Sequence, residues 1–215
     1  MIRNLGETNT ILNQFISELR NVETQNDRIR FRKNLERIGE IFAYEISKTL
    51  NYSQVSVTTP LGIADMNLPA QQPVLATIMR AGLPLHTGFL NFFDRAENAF
   101  ISAFRKYNKD GSFTIQFEHL SCPPLDGKVV ILNDVMMASG SSFVLSYQAL
   151  LGKGTPVHTH LVSIIASKEG ISYVKRHLPM KNITLWVGAI DDELTVKGYI
   201  VPGLGDAGDL AFGDK

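Results

Sequence analysis

Hydrophobic positions return at helical spacing near the start of the chain. Ile11, Leu12, Phe15, Ile16 and Leu19 fall on one side of a 3.6-residue repeat. A second helix is predicted to begin near Asn26 or Asp27, either of which can cap its free N–H groups. It carries Phe31, Leu35, Ile38, Phe42 and Ile46 along one side. These two helices, within residues 1–50, read as an N-terminal arm preceding a main α/β core at 51–215. Val74–Met79 then reads as a buried strand, followed by a glycine-containing loop and a helical stretch to Phe93. Residues 99–104 form another short strand, and Phe113, Ile115, Phe117 and His119 alternate with polar residues as in a half-exposed strand. Asp126-Gly127 marks a turn. After it come an apolar strand at 129–132, a helix at 143–151, a strand at 161–165, a helix at 169–178 and a strand at 183–187. Strands separated by helices predict an α/β fold, a mostly parallel twisted sheet flanked by helices. Ligands in such sheets sit at the carboxyl ends of strands, so chemistry is sought after Met79, Leu132 and Val187.

Composition narrows the class. The chain has 215 residues, which suits one domain, and 44% of them are hydrophobic, in runs too short to span a membrane. The opening MIRNLGETNT is polar, which argues against a secretory signal. A single cysteine, Cys122, excludes an internal disulfide framework and fits a reducing compartment, so a cytoplasmic location is expected. Lys+Arg and Asp+Glu are both 21, and no overall basic field draws the protein to nucleic acid. The basic run Arg28, Arg30, Arg32, Lys33 and Arg37 is read as a solvated helix face with nearby acids.

Three segments carry candidate chemistry. The apolar strand at 129–132 runs into Asn133-Asp134-Val135-Met136-Met137-Ala138-Ser139-Gly140-Ser141-Ser142 and then a helix. Free N–H groups at that helix start, with the hydroxyls of Ser139, Ser141 and Ser142, form an anion site, and Asp134 can accept hydrogen bonds from sugar hydroxyls. An ordinary strand-to-helix loop with serine as cap reads the same letters. Arg80 follows the strand Val74–Met79 beside small residues, as a diphosphate clamp does, and Arg105 also closes a strand; a solvated loop arginine is the alternative for both. Gly203-Leu204-Gly205-Asp206-Ala207-Gly208 has the letters of a dinucleotide fingerprint. That reading is rejected, because the fingerprint needs a following helix and an acid about 20 residues on, and the sequence ends at Lys215. His158 and His160 share a strand face, but no third ligand lies near them, which argues against a metal site.

Together these pieces resemble the uracil phosphoribosyltransferase family. The segment 199–209, Tyr-Ile-Val-Pro-Gly-Leu-Gly-Asp-Ala-Gly-Asp, is similar to that family's uracil-binding signature almost letter for letter. The family's "ILRAGL" corresponds to Ile78-Met79-Arg80-Ala81-Gly82-Leu83, and its "DPMLATGGS" to Asp134 through Ser142. The resemblance implies a type I phosphoribosyltransferase-like fold with a C-terminal base-binding hood. It implies formation of UMP and diphosphate from uracil and 5-phosphoribosyl 1-diphosphate. By resemblance, Arg80 and Arg105 contact the donor's diphosphate, and Asp134, Val135, Met136, Met137, Ala138, Ser139, Gly140, Ser141 and Ser142 hold its ribose and 5′-phosphate. Ile200, Gly205, Asp206 and Ala207 meet uracil, mainly through backbone groups, while Asp206 also serves the donor and its Mg2+. Magnesium is expected through the donor diphosphate rather than a dedicated protein site. A homodimer and a GTP effector are further implications.

The sequence departs from the family at Val135 for proline, Ser139 for threonine, Ser141 for the second glycine, and Leu210 for the usual Lys or Arg. Serine for glycine crowds the phosphate loop if that position needs a positive φ. The alternatives are a phosphoribosyltransferase for another base, a pyrimidine-responsive RNA-binding regulator of the same fold, and a nucleotide-binding paralogue with little turnover.

Overall fold

The computed structural model describes residues 1–107 and 113–214; the side chains of residues 103–107 and 113–118 also lie outside the described set. Strand β1 (Ile2–Asn4) precedes α1 (Ile11–Arg20) and α2 (Arg28–Ser47). The Thr10 hydroxyl caps α1 by accepting from Leu12 N–H. Asp27 caps α2, its carboxylate accepting from the Ile29 and Arg30 N–H groups at 3.0 Å each. Then come β2 (Tyr52–Thr59), β3 (Gly62–Pro69), β4 (Val74–Met79), α3 (Gly82–Leu90), β5 (Asn98–Tyr107) and β6 (Phe113–Ser121). The second half holds β7 (Val129–Met137), α4 (Ser141–Leu151), β8 (His158–Ser167), α5 (Lys168–His177) and β9 (Ile183–Asp191). Last come β10 (Glu193–Leu194), β11 (Ile200–Val201) and α6 (Ala207–Phe212).

Seven strands form one sheet in the order β1-β9-β8-β7-β4-β5-β6. All neighbours run parallel except β5 and β6. From β4 the path proceeds outward through β5 and β6, then returns to β4's other side and proceeds from β7 through β8 to β9. The order therefore reverses between β4 and β7. Loops leaving these two strands diverge and open a crevice at their carboxyl ends, the usual place for a ligand in an open α/β sheet.

Two apolar layers cover the sheet. On one side Leu12, Ile16, Leu19, Phe31, Leu35, Ile38, Phe42 and Ile46 form one cluster with Ile131, Val162, Ile164 and Trp186. The two N-terminal helices thus lie against the sheet, and the C-terminal Ile200, Leu204, Ala207 and Ala211 join the same cluster. On the other side Phe143, Val144, Tyr147, Ile171 and Val174 of α4 and α5 pack over Val130, Leu132, Leu161 and Leu185.

Two features differ from the sequence expectation. The polar opening supplies β1, which pairs with β9 in the register Ile2 to Leu185; edge pairing needs only backbone groups, so no apolar alternation marks it. Residues 52–69 form a two-stranded hairpin, β2 with β3, that belongs to no larger sheet and is exposed along nearly its whole length. Val55 and Val57 alternate with polar residues and lie opposite Met66 and Ala64, so a period of two is present in the sequence although the sequence expectation has no strand pair there.

Candidate functional site

The site is built where β4 and β7 end. Arg80 follows β4 across a cis peptide bond. Its Nη2 donates to Asp209 Oδ1 at 2.9 Å and its Nη1 to the Gly213 carbonyl at 3.3 Å. Asp134 lies one strand over, and its carboxylate accepts from the Val135 N–H at 2.7 Å. Strand β7 is longer than the apolar run suggested: Asp134, Met136 and Met137 pair with Ser163, Ile165 and Ala166 of β8. The side chains of Val135 and Met137 are buried, so the segment expected to be loop is strand up to Met137. The turn proper is Ala138-Ser139-Gly140.

That turn answers the concern over serine for glycine. Gly140 takes the left-handed conformation, φ 80°, and a Cβ there would come 2.6 Å from the Gly170 carbonyl oxygen. Ser141 is already the first residue of α4, and no non-glycine among the described residues has positive φ. The substituted position therefore has a helical backbone that any residue adopts. Its Oγ lies 2.8 Å from Ser139 Oγ. The residue at the N-cap of α4 is Gly140, which brings no capping side group, so the first N–H groups of the helix face the turn.

A buried polar network ties the two strand ends together. Thr77 Oγ1 donates to Asn133 Oδ1 at 3.0 Å, and Asn133 Nδ2 donates to the Ala76 carbonyl at 2.9 Å. His86 Nε2 lies 2.8 Å from Asn98 Oδ1, which fixes the ring proton on Nε2 and leaves Nδ1 facing the Asn133 amide at 3.5 Å. Burial pushes the His86 pKa below its ordinary value despite the opposing Asn98 bond, and so favours the neutral ring. The network fixes the register of β4 against β7, and hence Arg80 against Asp134.

The C-terminal segment is pinned by residues the sequence did not single out. Arg20 grips Asp191 with both Nη groups at 2.8 Å and donates to the Gly203 carbonyl at 2.9 Å. The Gly203 N–H donates to Asp191 Oδ2 at 2.9 Å. Burial raises the Asp191 pKa, but the bonds from Arg20 and Gly203 outweigh it, and the net shift is downward. Asp191 ends β9, the third strand after which chemistry was sought; nothing in the sequence paired it with Arg20. Farther on, Asp206 Oδ1 accepts from Gly208 N–H at 2.9 Å and Asp209 N–H at 3.1 Å, capping α6. A helix therefore does follow the glycine segment, contrary to one of the two grounds for rejecting a dinucleotide fingerprint. It has six residues and starts inside the motif, and the glycines lie between a two-residue strand and that helix rather than in a βαβ unit. Arg32 holds the end of α6 through the Ala211 carbonyl at 2.7 Å. The Ile200 side chain is buried, so only its backbone is available to a ligand. Arg105 pairs in register with Ile115; its side chain lies outside the described residues.

The other candidates resolve into structure. Arg30 pairs with Glu18 at 2.7 Å and Lys33 with Glu36 at 2.9 Å, as on the solvated face expected of the basic run, whereas Arg32 is drawn to the Ala211 carbonyl and Arg37 lies over the Phe15 ring. Trp186 Nε1 donates to His160 Nδ1 at 3.0 Å, and His158 Nε2 lies 3.0 Å from Thr184 Oγ1. Among the described residues no group of three His, Cys, Asp or Glu side chains converges as metal ligands, and no helix is long and apolar enough to cross a membrane.

Burial, then His158 and Arg3, push the His160 pKa down to about 3. Between about pH 6.5 and this value the unfolded protein binds a proton that the folded protein refuses. Stability is therefore full above pH 6.5 and falls as pH falls, by up to about 1.4 kcal/mol per pH unit for each such histidine. Urea unfolding at about pH 7.5 and about pH 5 is expected to show the loss, and His160→Gln to make it shallower. Equal losses in both proteins would remove His160 as the cause.

Comparison with known proteins agrees with this geometry. The family model for uracil phosphoribosyltransferase matches residues 7–214. The chain is 53% identical to a uracil phosphoribosyltransferase of Porphyromonas gingivalis, over 98% of its own length and 97% of the relative's. It is 36% identical to a uracil phosphoribosyltransferase of Pyrococcus furiosus, over 97% and 88%. The structure of the AQ2163 protein from Aquifex aeolicus superposes with a TM-score of 0.86 at 27% identity, over 99% and 98% of the two lengths. A hypoxanthine phosphoribosyltransferase from Staphylococcus aureus shares the fold at TM-score 0.50 and 11% identity, over 76% of each protein. With a family model covering nearly its whole length, and relatives this similar, the chain belongs to the uracil phosphoribosyltransferase family.

Proposed function

We propose that this protein transfers a phosphoribosyl group from 5-phosphoribosyl 1-diphosphate to uracil, giving UMP and diphosphate, as a cytoplasmic enzyme of pyrimidine salvage. The observation that carries the reading is the meeting of three parts at one switch point. Asp134 and the turn into α4 lie at the end of β7, Arg80 lies at the end of β4, and the Arg80 guanidinium touches the C-terminal segment through Asp209.

The donor's 5′-phosphate lies at the start of α4, taking N–H groups from Gly140, Ser141 and Ser142 and hydroxyls from Ser139 and Ser141. Asp134 accepts the ribose hydroxyls and fixes C1 for attack. Val135, Met136, Met137 and Ala138 contribute backbone. Arg80 and Arg105 bind the leaving diphosphate, where negative charge grows in the transition state. Magnesium fits this arrangement: it keeps several waters and takes one or two carboxylates plus substrate phosphates, so Asp206 suffices from the protein side. When bound it neutralises charge on the departing oxygens. Arg105→Lys keeps the charge but loses the planar fork, and is expected to lower kcat/KM about tenfold or more. Wild-type kinetics in that variant would move Arg105 out of the site.

Uracil lies against Ile200, Gly205, Asp206 and Ala207. Its N3–H sits between two carbonyls, whereas cytosine has an N3 acceptor beside an amino donor. A fixed backbone carbonyl facing N3 and a fixed N–H facing O4 satisfy uracil and mismatch cytosine twice. Each unpaired buried polar group costs about 1–3 kcal/mol, enough for discrimination of several orders of magnitude. Assay with uracil, cytosine, hypoxanthine and orotate tests this assignment, and absence of turnover with retained nucleotide binding marks the paralogue reading instead.

A homodimer is part of the proposal. The hairpin β2–β3 exposes Tyr52, Val55, Val57, Ile63, Met66 and Leu68, and Ile11, Phe15, Ile41, Tyr44 and Phe92, flanked by Arg37 and Glu40, line a groove on the helical face. A second copy covers such surface most simply. A monomer mass by light scattering at micromolar concentration would contradict it. GTP activation rests on the family resemblance, and adding GTP to the same assay tests it.

A further inference from the structure

The Arg80 guanidinium is shared between the two halves of the site. Its Nη2 reaches Asp209 Oδ1 at 2.9 Å and its Nη1 the Gly213 carbonyl at 3.3 Å, so both acceptors come from the C-terminal segment. Its Nε–H is buried and has no hydrogen-bond partner. A buried donor without an acceptor is costly, and a guanidinium presents its donors as a planar fork that suits carboxylate and phosphate oxygens alike. The Arg80–Asp209 pair is also open to solvent, with the two side chains 35% and 37% exposed. The Arg20–Asp191 pair differs: its carboxylate is 6% exposed, doubly gripped and bound to a backbone N–H. The second pair is built to hold a turn, and the first is built to be broken.

We propose that Asp209 is a positioning residue for the donor, a counter-ion that holds Arg80 at the strand ends and is exchanged for diphosphate oxygens when the donor binds. This rests on the reading of Arg80 as a diphosphate ligand. Asp209 and a diphosphate oxygen cannot occupy the same N–H groups, and the ligand brings more negative charge to the fork. The exchange frees the first turn of α6. That turn is capped by Asp206, which bonds the Asp209 N–H, and it follows directly on Gly205. Donor binding is thereby felt at the base-binding segment.

The test is calorimetric titration of the full-length protein with magnesium diphosphate. Asp209→Asn keeps the shape and the N–H to Asp206 but weakens the competing pair, and binding is expected to tighten about two- to fivefold, the range an exposed ion pair supports. In an Arg80→Gln background the same substitution is expected to change nothing, because the effect passes through Arg80. Thermal melts near wild type check that each variant is folded. Tightening that persists in Arg80→Gln would show simple charge repulsion and overturn the counter-ion role. Weaker or unchanged binding in Asp209→Asn would overturn it as well, the weaker case placing Asp209 among the ligands of the metal or donor. Diphosphate binding by Arg80→Gln equal to wild type is a separate result: it removes Arg80 from the diphosphate site and the proposal with it.

Discussion

Asp134→Asn is expected to lower turnover about 10- to 100-fold while the protein stays folded. Asp134 stands three residues before the carboxyl end of β7, near the switch point, in a strand paired with β8 through Met137. Its carboxylate accepts from the Val135 N–H at 2.7 Å, a bond that an asparagine oxygen can also accept. The substitution therefore spares that local bond and removes the charge that the proposed function assigns to the ribose hydroxyls and to the developing positive charge on the sugar. Hydrogen bonds to charged groups contribute about 1.5–3 kcal/mol, which sets the range. Asp134→Ala, which also loses the acceptor, is expected to fall further. Steady-state kinetics with donor as the varied substrate, alongside a thermal melt, make the check. Unchanged KM and kcat in a folded Asp134→Asn protein would remove this residue from the donor site.

Gly203→Val is expected to abolish base binding. Gly203 has φ 54°, and a Cβ there would run into the carbonyl oxygen of Ile200. Both backbone polar groups of Gly203 are engaged, the N–H with Asp191 and the carbonyl with Arg20. No rotamer change accommodates the added group, because the obstacle is backbone. The turn must open, and with it the clamp that orients residues 200–207. Gly205 offers a comparison. Its φ is 93°, but a Cβ there meets only Leu210 Cδ1 at 3.9 Å. Gly205→Ala thus carries about 1–2 kcal/mol of backbone strain without a clash, while Gly205→Val additionally fills the space through which the proposed base site would be approached. Uracil binding and melting temperature are expected to drop most in Gly203→Val and least in Gly205→Ala. Retained uracil turnover in Gly203→Val would show that the turn does not shape the base site.

The elements that bury a continuous apolar face were legible in the sequence. Phe31, Leu35, Ile38, Phe42 and Ile46 are all within the core, and Asp27 caps their helix as its position suggested. Val74–Met79 is a strand at the residues expected. Polar elements were not legible. Strand β1 is held by backbone pairing, which leaves no hydrophobic period; the β2–β3 hairpin was missed although Val55 and Val57 alternate with polar residues opposite Met66 and Ala64; and the end of β7 was lost because Asn133 and Asp134 interrupt an apolar run while the backbone continues its ladder. The site shows the same division. Arg80, Asp134 and the glycine segment stood out because their residue types suit phosphate, sugar and close backbone approach. Arg20 and Asp191, 171 residues apart, and the buried Thr77–Asn133–His86 network act through tertiary contacts that no local spacing announces. The condition under which Ser141 would crowd the loop, a positive φ, is not met, because the positive φ belongs to Gly140 one residue earlier.

Whether this site joins uracil, and not another base, to the donor's ribose is decided by one assay. Purified full-length protein is incubated with 5-phosphoribosyl 1-diphosphate, magnesium and one base at a time, and nucleotide and diphosphate are both quantified. UMP and diphosphate are expected in equal amounts with uracil. A rate lower by about 30-fold to about 10⁴-fold is expected with cytosine, following from two mismatched polar contacts at about 1–3 kcal/mol each, and uracil is expected to be preferred over hypoxanthine and orotate as well. Cytosine used as well as uracil, or no nucleotide formed from uracil by folded protein, would contradict it.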